Sequence, residues 1–572
     1  MKITILSGGS GNDSLVKGLK EIYPKSDIKV IINQYDSGLS TGICREVTNT
    51  LGVSDARKNH SRMYRAMSNS INQTIMEFYE NRYDFTPGGE LDEILELLDK
   101  WDLSQFKEYA IRFFDNERAH DYRYEDFNVA NIIYAQMYCE IGYERTHKCF
   151  CDLLGIDDFV ILNSFDNVYL NAITDSGKVI DDEGDIVGYA NSEDKIVGVS
   201  YRGPKTELNQ KAIDRVLKSD LIIISTGTFW SSIYPTLDYL NFYSYINQSD
   251  AKKIWAINND EDEDAYGVTS NDFIAQFESL GLNLNDFTIL ENLDSIDSLH
   301  LPNEKYNVIY KHMENNGGKH NGLKFAKEIL IEYYQLLKYD KIIFDFDDTL
   351  WARKSDNDLE LKKVSMSNVR VLNSKLAEYS IIVSGNTYSS ISKKLYQIFG
   401  TSLADCELLI WADTHGRQYY KNDYLDAIDE IEISQSDYAG IRNVLNNFDL
   451  SCTVDNDDKI FNIKIKPLNV TERKLLCSYL NDCVFKSKRM SKEYIAKMTG
   501  LTTVDIMSKN NTKAKVFDYI NLGDLNTLYI GDEIDSGNDR DIAQLCTHSI
   551  NVADIYETQA VLTLLEEIYA KS

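Results

Sequence analysis

Only six prolines occur in 572 residues, and the chain holds no low-complexity tract and no internal repeat. That composition argues against disordered segments and for folded structure throughout. Long apolar runs are missing too: nothing approaches the roughly 20 residues that a membrane helix needs. The opening residues, MKITILSGGSG, form a short β-branched run followed by glycines, without the apolar core and small-residue cleavage site of a secretory leader. Cysteines are few, scattered and odd in number, nine in all, so reduced thiols in a cytoplasmic protein are expected rather than a disulfide framework. Cys149 and Cys151, with His147 nearby in RTHKCFCDLLG, admit a metal site, but the pattern reads better as an amphipathic helix. Positive charge is in deficit: 60 Lys and Arg against 90 Asp and Glu leave a net charge of −30. Such a chain repels a nucleic-acid backbone, which argues against duplex binding. Small phosphorylated ligands are compatible with it, because local N–H groups, Lys, Arg or Mg²⁺ hold them.

The length is too great for a single core. Up to about residue 330, short β-branched runs alternate with helical patterns: KITILSGGSG, VKGLKEIY, DIKVIINQYDSG, NQKAIDRVLKS, DLIIISTGT. Around Lys341 the cycle starts again with KIIFDFDDTL and continues through YSIIVSGN and NTLYIGDE. Alternation of this kind predicts α/β domains with parallel sheets. Two Rossmann-like domains in tandem are therefore expected, at 1–330 and 338–572, joined through a segment around GLKFAKEILIEYYQLLKYD that reads as a helix.

The rear half carries the sharper chemistry. DFDDT sets Asp345 and Asp347 two residues apart just past an apolar strand, where residues i and i+2 point to one side. Mg²⁺ would relieve the repulsion of two such carboxylates. One can then attack phosphorus while the other donates and accepts protons. Ser384 ends the next apolar run, where its hydroxyl can hold a phosphoryl oxygen. Lys513 opens a later helix and can meet developing negative charge. LYIGDEIDSGNDRDIA ends a strand in Gly531-Asp532 and then supplies Asp535, Asn538 and Asp539, acids able to complete a Mg²⁺ shell.

These segments, in this order, resemble the haloacid dehalogenase superfamily of phosphohydrolases and phosphomutases over about residues 338–572. The resemblance implies a Rossmann-like core, a phosphoaspartyl intermediate and dependence on Mg²⁺. It makes Asp345 the nucleophile and Asp347 the general acid/base, with Ser384 and Lys513 on the phosphoryl group. Asp345, Asp347, Asp532 and either Asp539 or Asp535 would serve the metal. The 129 residues between Ser384 and Lys513 leave room for an inserted α+β cap of the C2 type, at about 419–500, of the kind that closes over small phosphorylated metabolites such as sugar phosphates. His415 and Arg417, just before it, are within reach of a substrate or lie on the surface.

In the front half, ILSGGSGNDSLVKGL is a strand, a glycine loop and a helix, an arrangement that lets N–H groups approach a phosphate. YDSGLSTGICRE and STGTFWSSIYPTL are further loops after strands, so a nucleotide crevice is expected. The order of these pieces resembles the 2-phospho-L-lactate transferase (CofD-like) family, with its YvcK-type relatives, over about residues 1–300. Gly8–Gly11, DSGLSTGICR from Asp36, SDARKN from Ser54, VAN at Val129–Asn131 and STGTFWSSI from Ser225 carry it. The sequence departs from that family's pattern at Ser37, where a second acid is usual, and at Leu39, Ile43, Ala130 and Thr226. The resemblance implies a pocket for a nucleotide or nucleotide-sugar near Gly9, Gly11, Asp36, Asn131, Gly227 and Trp230, with core packing the alternative for Trp230. Two functional classes follow: a bifunctional enzyme, with a phosphatase behind a domain that binds a nucleotide-linked substrate and transfers a phospho-group, or a nucleotide sensor governing an attached phosphatase. A homodimer is compatible with either.

Overall fold

The computed structural model describes residues 1–8, 12–68, 70–181, 183–191, 193–258, 263–292, 305–312, 321–386, 388–400, 403, 405–412, 418–421, 424–427, 432–454, 460, 462–466, 468–486, 493–499, 502–510, 512–535 and 539–570. The chain forms two compact units, Met1–Tyr333 and Tyr334–Ser572. Among the described residues no helix is long and apolar enough to cross a membrane.

The first unit is built on a seven-stranded, wholly parallel sheet. Its order is Asn307–Lys311, Phe287–Asn292, Lys252–Ala256, Leu221–Ile224, Lys2–Leu6, Asp27–Ile32, Val160–Leu162. Parallel strands are covered on both faces and therefore read as unbroken apolar runs; Leu221, Ile222, Ile223 and Ile224 are all fully buried. The chain between the second and third of these strands, taken in sequence, is largely helical. It includes Ser54–Met67, Val129–Ile141 and Tyr143–Leu154. The last of these is the amphipathic helix expected around Cys149 and Cys151. A small antiparallel sheet, Val179–Ile180, Tyr169–Thr174 and Ile196–Arg202, completes the unit.

The order of the large sheet has one functional consequence. Lys2–Leu6 has Asp27–Ile32 on one side and Leu221–Ile224 on the other. The winding reverses there, and ligand crevices of open α/β sheets lie beyond the strand ends at such a reversal.

The second unit repeats the principle. Its seven-stranded sheet runs Tyr424–Ala427, Gln418–Lys421, Leu409–Ala412, Ser380–Val383, Lys341–Asp345, Thr527–Gly531, His548–Asn551; the first two are antiparallel and the rest parallel. A four-stranded antiparallel sheet, Cys452–Val454, Asn462–Ile465, Thr503–Ser508, Tyr494–Thr499, carries the helices Gln435–Asn446 and Val470–Tyr479. It has a core of its own that includes Ile441, Leu445, Ile463, Val504 and Ile506. This is the expected α+β cap, with shifted limits. The hairpin Gln418–Ala427 continues the core sheet instead of opening the cap, because the strand Leu409–Ala412 offers it an unpaired edge. At the other end the cap sheet runs on to Ser508.

Candidate active site

Three neighbouring parallel strands of the second unit deliver the site. Lys341–Asp345 ends in Asp345, Ser380–Val383 is followed by Ser384, and Thr527–Gly531 by Asp532. Their apolar bodies are buried, which fixes the register and brings the polar residues together at one edge. Lys513 Nζ lies 2.5 Å from Asp345 Oδ1 and 2.6 Å from Asp539 Oδ1, and all three side chains are buried. Asp345, Asp532 and Asp539 each present an oxygen within 4.8 Å of the others, the one such group of acids, histidines or cysteines among the described residues. Cys149, Cys151 and His147 form none. Of the two acids left open by the sequence, Asp539 is buried inside the cluster, while Asp535 is exposed.

Three carboxylates against one ammonium leave excess negative charge in a dry place. Burial, reinforced by Asp539, Asp532 and Asp347, lifts the Asp345 carboxyl well above the usual range, with Lys513 opposing. Asp532 is pushed up to about 7 by burial and then by Asp539 and Glu533. Burial works against the Lys513 ammonium, yet Asp345 and Asp539 overcome it and hold it above its ordinary value. A hard divalent cation fits this set. The donors are all carboxylate oxygens, as Mg²⁺ prefers, and Asp539 Oδ2 is buried without a hydrogen-bond partner. Gly531 leaves the necessary room: a Cβ there would stand 2.6 Å from Asp539 Oδ2.

Asp347 departs from expectation. Its carboxylate is outside the three-acid cluster and accepts from Lys394 Nζ at 2.9 Å, from the Asn386 amide, and from Ser384 Oγ at 3.4 Å. The extended backbone stops at Asp345. The chain then turns, with Leu350 and Trp351 N–H groups donating to the Phe346 carbonyl at 3.0 and 2.8 Å, so the strand alternation no longer governs Asp347. Lys394, Asn386 and Arg353 (3.1 Å from Asp348) were not singled out in the sequence. Asn386 stands in the SGN that carries Ser384, which was the available signal; Lys394 sits inside an ordinary helical pattern. His415 and Arg417 lie outside the described residues.

In the first unit the Gly8 loop leaves the strand at the reversal point. Gly9 and Gly11 lie outside the described residues. Its described flanks are pinned by side chains: Ser7 Oγ donates to Asn12 Oδ1 (2.9 Å), Asn12 Nδ2 to Asn59 Oδ1 (3.1 Å), and Asn59 Nδ2 to the Asp55 carbonyl (2.8 Å). Asp36 accepts from the Gly38 N–H at 2.8 Å and from the Ser54 hydroxyl. Glu183 comes to it from a distant segment: a Cβ on Gly38 would stand 3.2 Å from Glu183 Oε2 and 3.5 Å from Asp36 Oδ1. Burial and then Asp36 push the Glu183 carboxyl well above its usual range. Burial pushes Asp36 the same way, but Lys58 and the Glu183 hydrogen bond outweigh it and hold it below its usual range. The second acid absent at Ser37 is thus present in space.

Of the other expected pocket residues, Asn131 and Trp230 are buried and Gly227 is partly exposed. Asn131 is fully buried, accepts from Arg57 Nε at 2.8 Å and donates to Ser40 Oγ at 2.9 Å, so it locks helices together. The Gly227 peptide is clamped on both sides by the Asn258 amide, at 3.0 and 2.9 Å. The N–H groups of Phe229, Trp230 and Ser231 donate to the Asp264 carboxylate at 3.2, 2.9 and 2.9 Å. The anion at this third loop is therefore the protein's own. Trp230, 1% exposed, packs in the core against Phe229 and Tyr234.

These features define two α/β units in tandem, the second with a cluster of mostly buried acids at the ends of its central strands. A profile described as 2-phospho-L-lactate transferase CofD matches residues 3–323, and the chain belongs to that family. A relative from Aquifex aeolicus (strain VF5), named "Putative gluconeogenesis factor", is 25% identical over 262 residues, covering 45% of this chain and 67% of that one. A solved structure from Bacillus halodurans is similar at 18% identity and a TM-score of 0.45, over 57% of this chain and 98% of that one. A solved IMP-nucleotidase of Plasmodium falciparum is similar at 16% identity and a TM-score of 0.31, over 43% of this chain and 73% of its own.

Proposed function

We propose that the second unit is a Mg²⁺-dependent phosphohydrolase of small phosphorylated metabolites and that the first binds a nucleotide or nucleotide-sugar at the Gly8 loop. The observation that carries the first part is the buried set of Asp345, Lys513 and Asp539 at the ends of adjacent strands. An oxygen of Asp345 attacks phosphorus, the bond to the leaving oxygen breaks, and Asp347 gives that oxygen a proton. Water then attacks the phosphoaspartyl group, gives its proton to Asp347, and frees Asp345 and phosphate. Ser384 and Lys513 hold the phosphoryl oxygens while their charge changes. Asp345, Asp532 and Asp539 would hold Mg²⁺, which supplies charge neutralisation.

For the first unit, binding without transfer is the better reading. The N–H groups of Phe229, Trp230 and Ser231 already donate to Asp264, which favours the Gly8 loop over this third loop for a phosphate. A nucleotide bound there would govern the attached phosphatase or present a linked substrate.

The test of the reaction is Asp345→Asn. The amide keeps the shape and removes the nucleophile, so phosphate release should fall by several orders of magnitude with the fold unchanged. Near-full release by the purified variant would refute the assignment. For the first unit, calorimetry with a panel of nucleotides is decisive, and no binding at millimolar concentration would end that reading.

A further inference from the structure

The strand register does not set the place of Asp347, so other groups must. Three donors do, and two of them stand in the short loop after one strand. Asp347 Oδ2 accepts from the Asn386 amide and from Ser384 Oγ at 3.4 Å. The Asn386 N–H in turn donates to Ser384 Oγ at 3.1 Å. The third donor, Lys394 Nζ, lies 2.9 Å from Asp347 Oδ1. Both carboxylate oxygens are therefore engaged, which fixes the rotation of the group as well as its position.

Of the three donors only Lys394 carries a charge. It sits on the helix Tyr388–Phe399, one residue before Leu395 and three after Ile391, and both of those are buried. That packing holds the base of the lysine side chain. Its ammonium stands 5.0 Å from the centre of the Phe346 ring, the residue between Asp345 and Asp347. The Lys394 side chain is 20% exposed and that of Asp347 12%, so the pair is sheltered. A charge-assisted bond in such a place holds geometry better than one at the open surface. The two lysines divide the acids between them. Lys513 pairs with Asp345 and Asp539, and among the described residues Asp347 is the one acid paired with Lys394. A cation of its own keeps Asp347 from competing for Lys513.

We infer that Lys394 is a positioning residue for Asp347: it holds the carboxylate beside the acid cluster and stops it from turning toward Lys513. The inference rests on the phosphohydrolase reading. In the second half of that reaction the oxygen of water bonds to phosphorus. The bond from phosphorus to the Asp345 oxygen breaks, its electrons return to Asp345, and the proton of water goes to Asp347. Without Lys394 the acceptor is free to turn, and a misplacement of about 1 Å can cost on the order of a hundredfold in rate.

The probe is p-nitrophenyl phosphate with Mg²⁺ and the full chain. Its phenolate leaves without help from an acid. Release of p-nitrophenol in the first turnover therefore reports attack by Asp345, and steady-state phosphate release reports the step that needs Asp347. Lys394→Met should keep the first-turnover rate within about twofold and lower kcat about ten- to a hundredfold, with phosphoenzyme accumulating. Lys394→Arg should recover most of kcat. Asp347→Asn and the double variant Asp347→Asn/Lys394→Met should be equally slow, because Lys394 acts through Asp347. An unchanged kcat in Lys394→Met, or a first turnover slowed as much as the steady state, would overturn the inference and leave the hydrolase standing. So would a double variant slower than Asp347→Asn with a raised KM, the mark of a lysine that touches substrate. No turnover and no phosphoenzyme in the wild type would overturn both.

Discussion

Lys513 Nζ lies 2.5 Å from Asp345 Oδ1, with both side chains almost wholly out of solvent. Removing the cation alone strands Asp345 and Asp539 without their counter-charge. Lys513→Met should therefore abolish phosphate release and also destabilise the second unit by about 3–5 kcal/mol. The double variant Lys513→Met/Asp345→Asn should be less destabilised than the two single effects summed. Denaturant unfolding of all three chains checks this; strict additivity would show that the pair is not coupled.

Gly531→Ala addresses the acid cluster from the backbone side. The new methyl would meet Asp539 Oδ2 at 2.6 Å and Tyr529 Cε1 at 2.8 Å, closer than real Cβ contacts allow. Asp539 must shift, and a smaller affinity for Mg²⁺ should follow. The expected result is a rise in the Mg²⁺ concentration needed for half-maximal activity, with kcat down about tenfold or more. Unchanged Mg²⁺ dependence would place Asp539 outside the metal shell.

Two histidines make the first unit sensitive to acid. His60 Nδ1 is 2.7 Å from the Tyr134 hydroxyl, His147 Nε2 is 2.8 Å from the Tyr138 hydroxyl, and the two rings are 4.7 Å apart. Burial lowers His60 to about 3; burial and then His60 lower His147 well below the ordinary value. The unfolded chain binds protons near pH 6.5 that the folded one refuses, so stability is full above that pH and falls as pH drops through and below it. The slope should reach roughly 1.4 kcal/mol per pH unit for each histidine. Unfolding midpoints between pH 7 and 5 test this, with His60→Phe expected to flatten the dependence. A wild type equally stable at both pH values would contradict it.

Asp264→Ala leaves the N–H groups of Phe229, Trp230 and Ser231 without their acceptor in a buried place. Each unsatisfied group costs about 1–3 kcal/mol, less where water enters. The variant should be cleaved faster around residues 225–235 in limited proteolysis, and Asp264→Asn should lie between it and the wild type. If Asp264→Ala resists protease like the parent, another group must satisfy those donors.

What the sequence made legible were the residues at which a structural and a chemical signal coincide. Asp345, Ser384 and Asp532 each end an apolar run, and buried parallel strands carry such residues to one edge. Lys513 was readable because it opens a helix between the insert and the last strand. Contacts made by residues that look ordinary in sequence were not readable. Glu183 reaches Asp36 from a distant segment, Lys394 reaches Asp347 from inside an amphipathic helix, and Asp264 fills an N–H cradle from a short polar turn. Asn131 and Trp230 hold the places the family pattern suggests, but tertiary packing buries them, and Gly227 is held through its peptide by Asn258. The cap limits differ from those expected for a related reason. A hairpin pairs with whichever edge is free, and its own sequence does not say which sheet that is.

The central strand Lys341–Asp345 has neighbours made at very different times during synthesis. Ser380–Val383 follows soon after it, whereas Lys513 stands 168 residues downstream of Asp345. Thr527–Gly531 follows later still. A ribosome-bound chain that has emerged as far as the cap already has Asp345, but neither the Lys513 beside it nor Asp532 and Asp539. Such long-range closure is slow. On the proposed reaction, nascent chains would be chemically silent for most of their synthesis, until the last strands bring Lys513 and Asp532 to Asp345. The first unit needs nothing beyond Tyr333 for its own sheet, so it can fold while the rest of the chain is still being made.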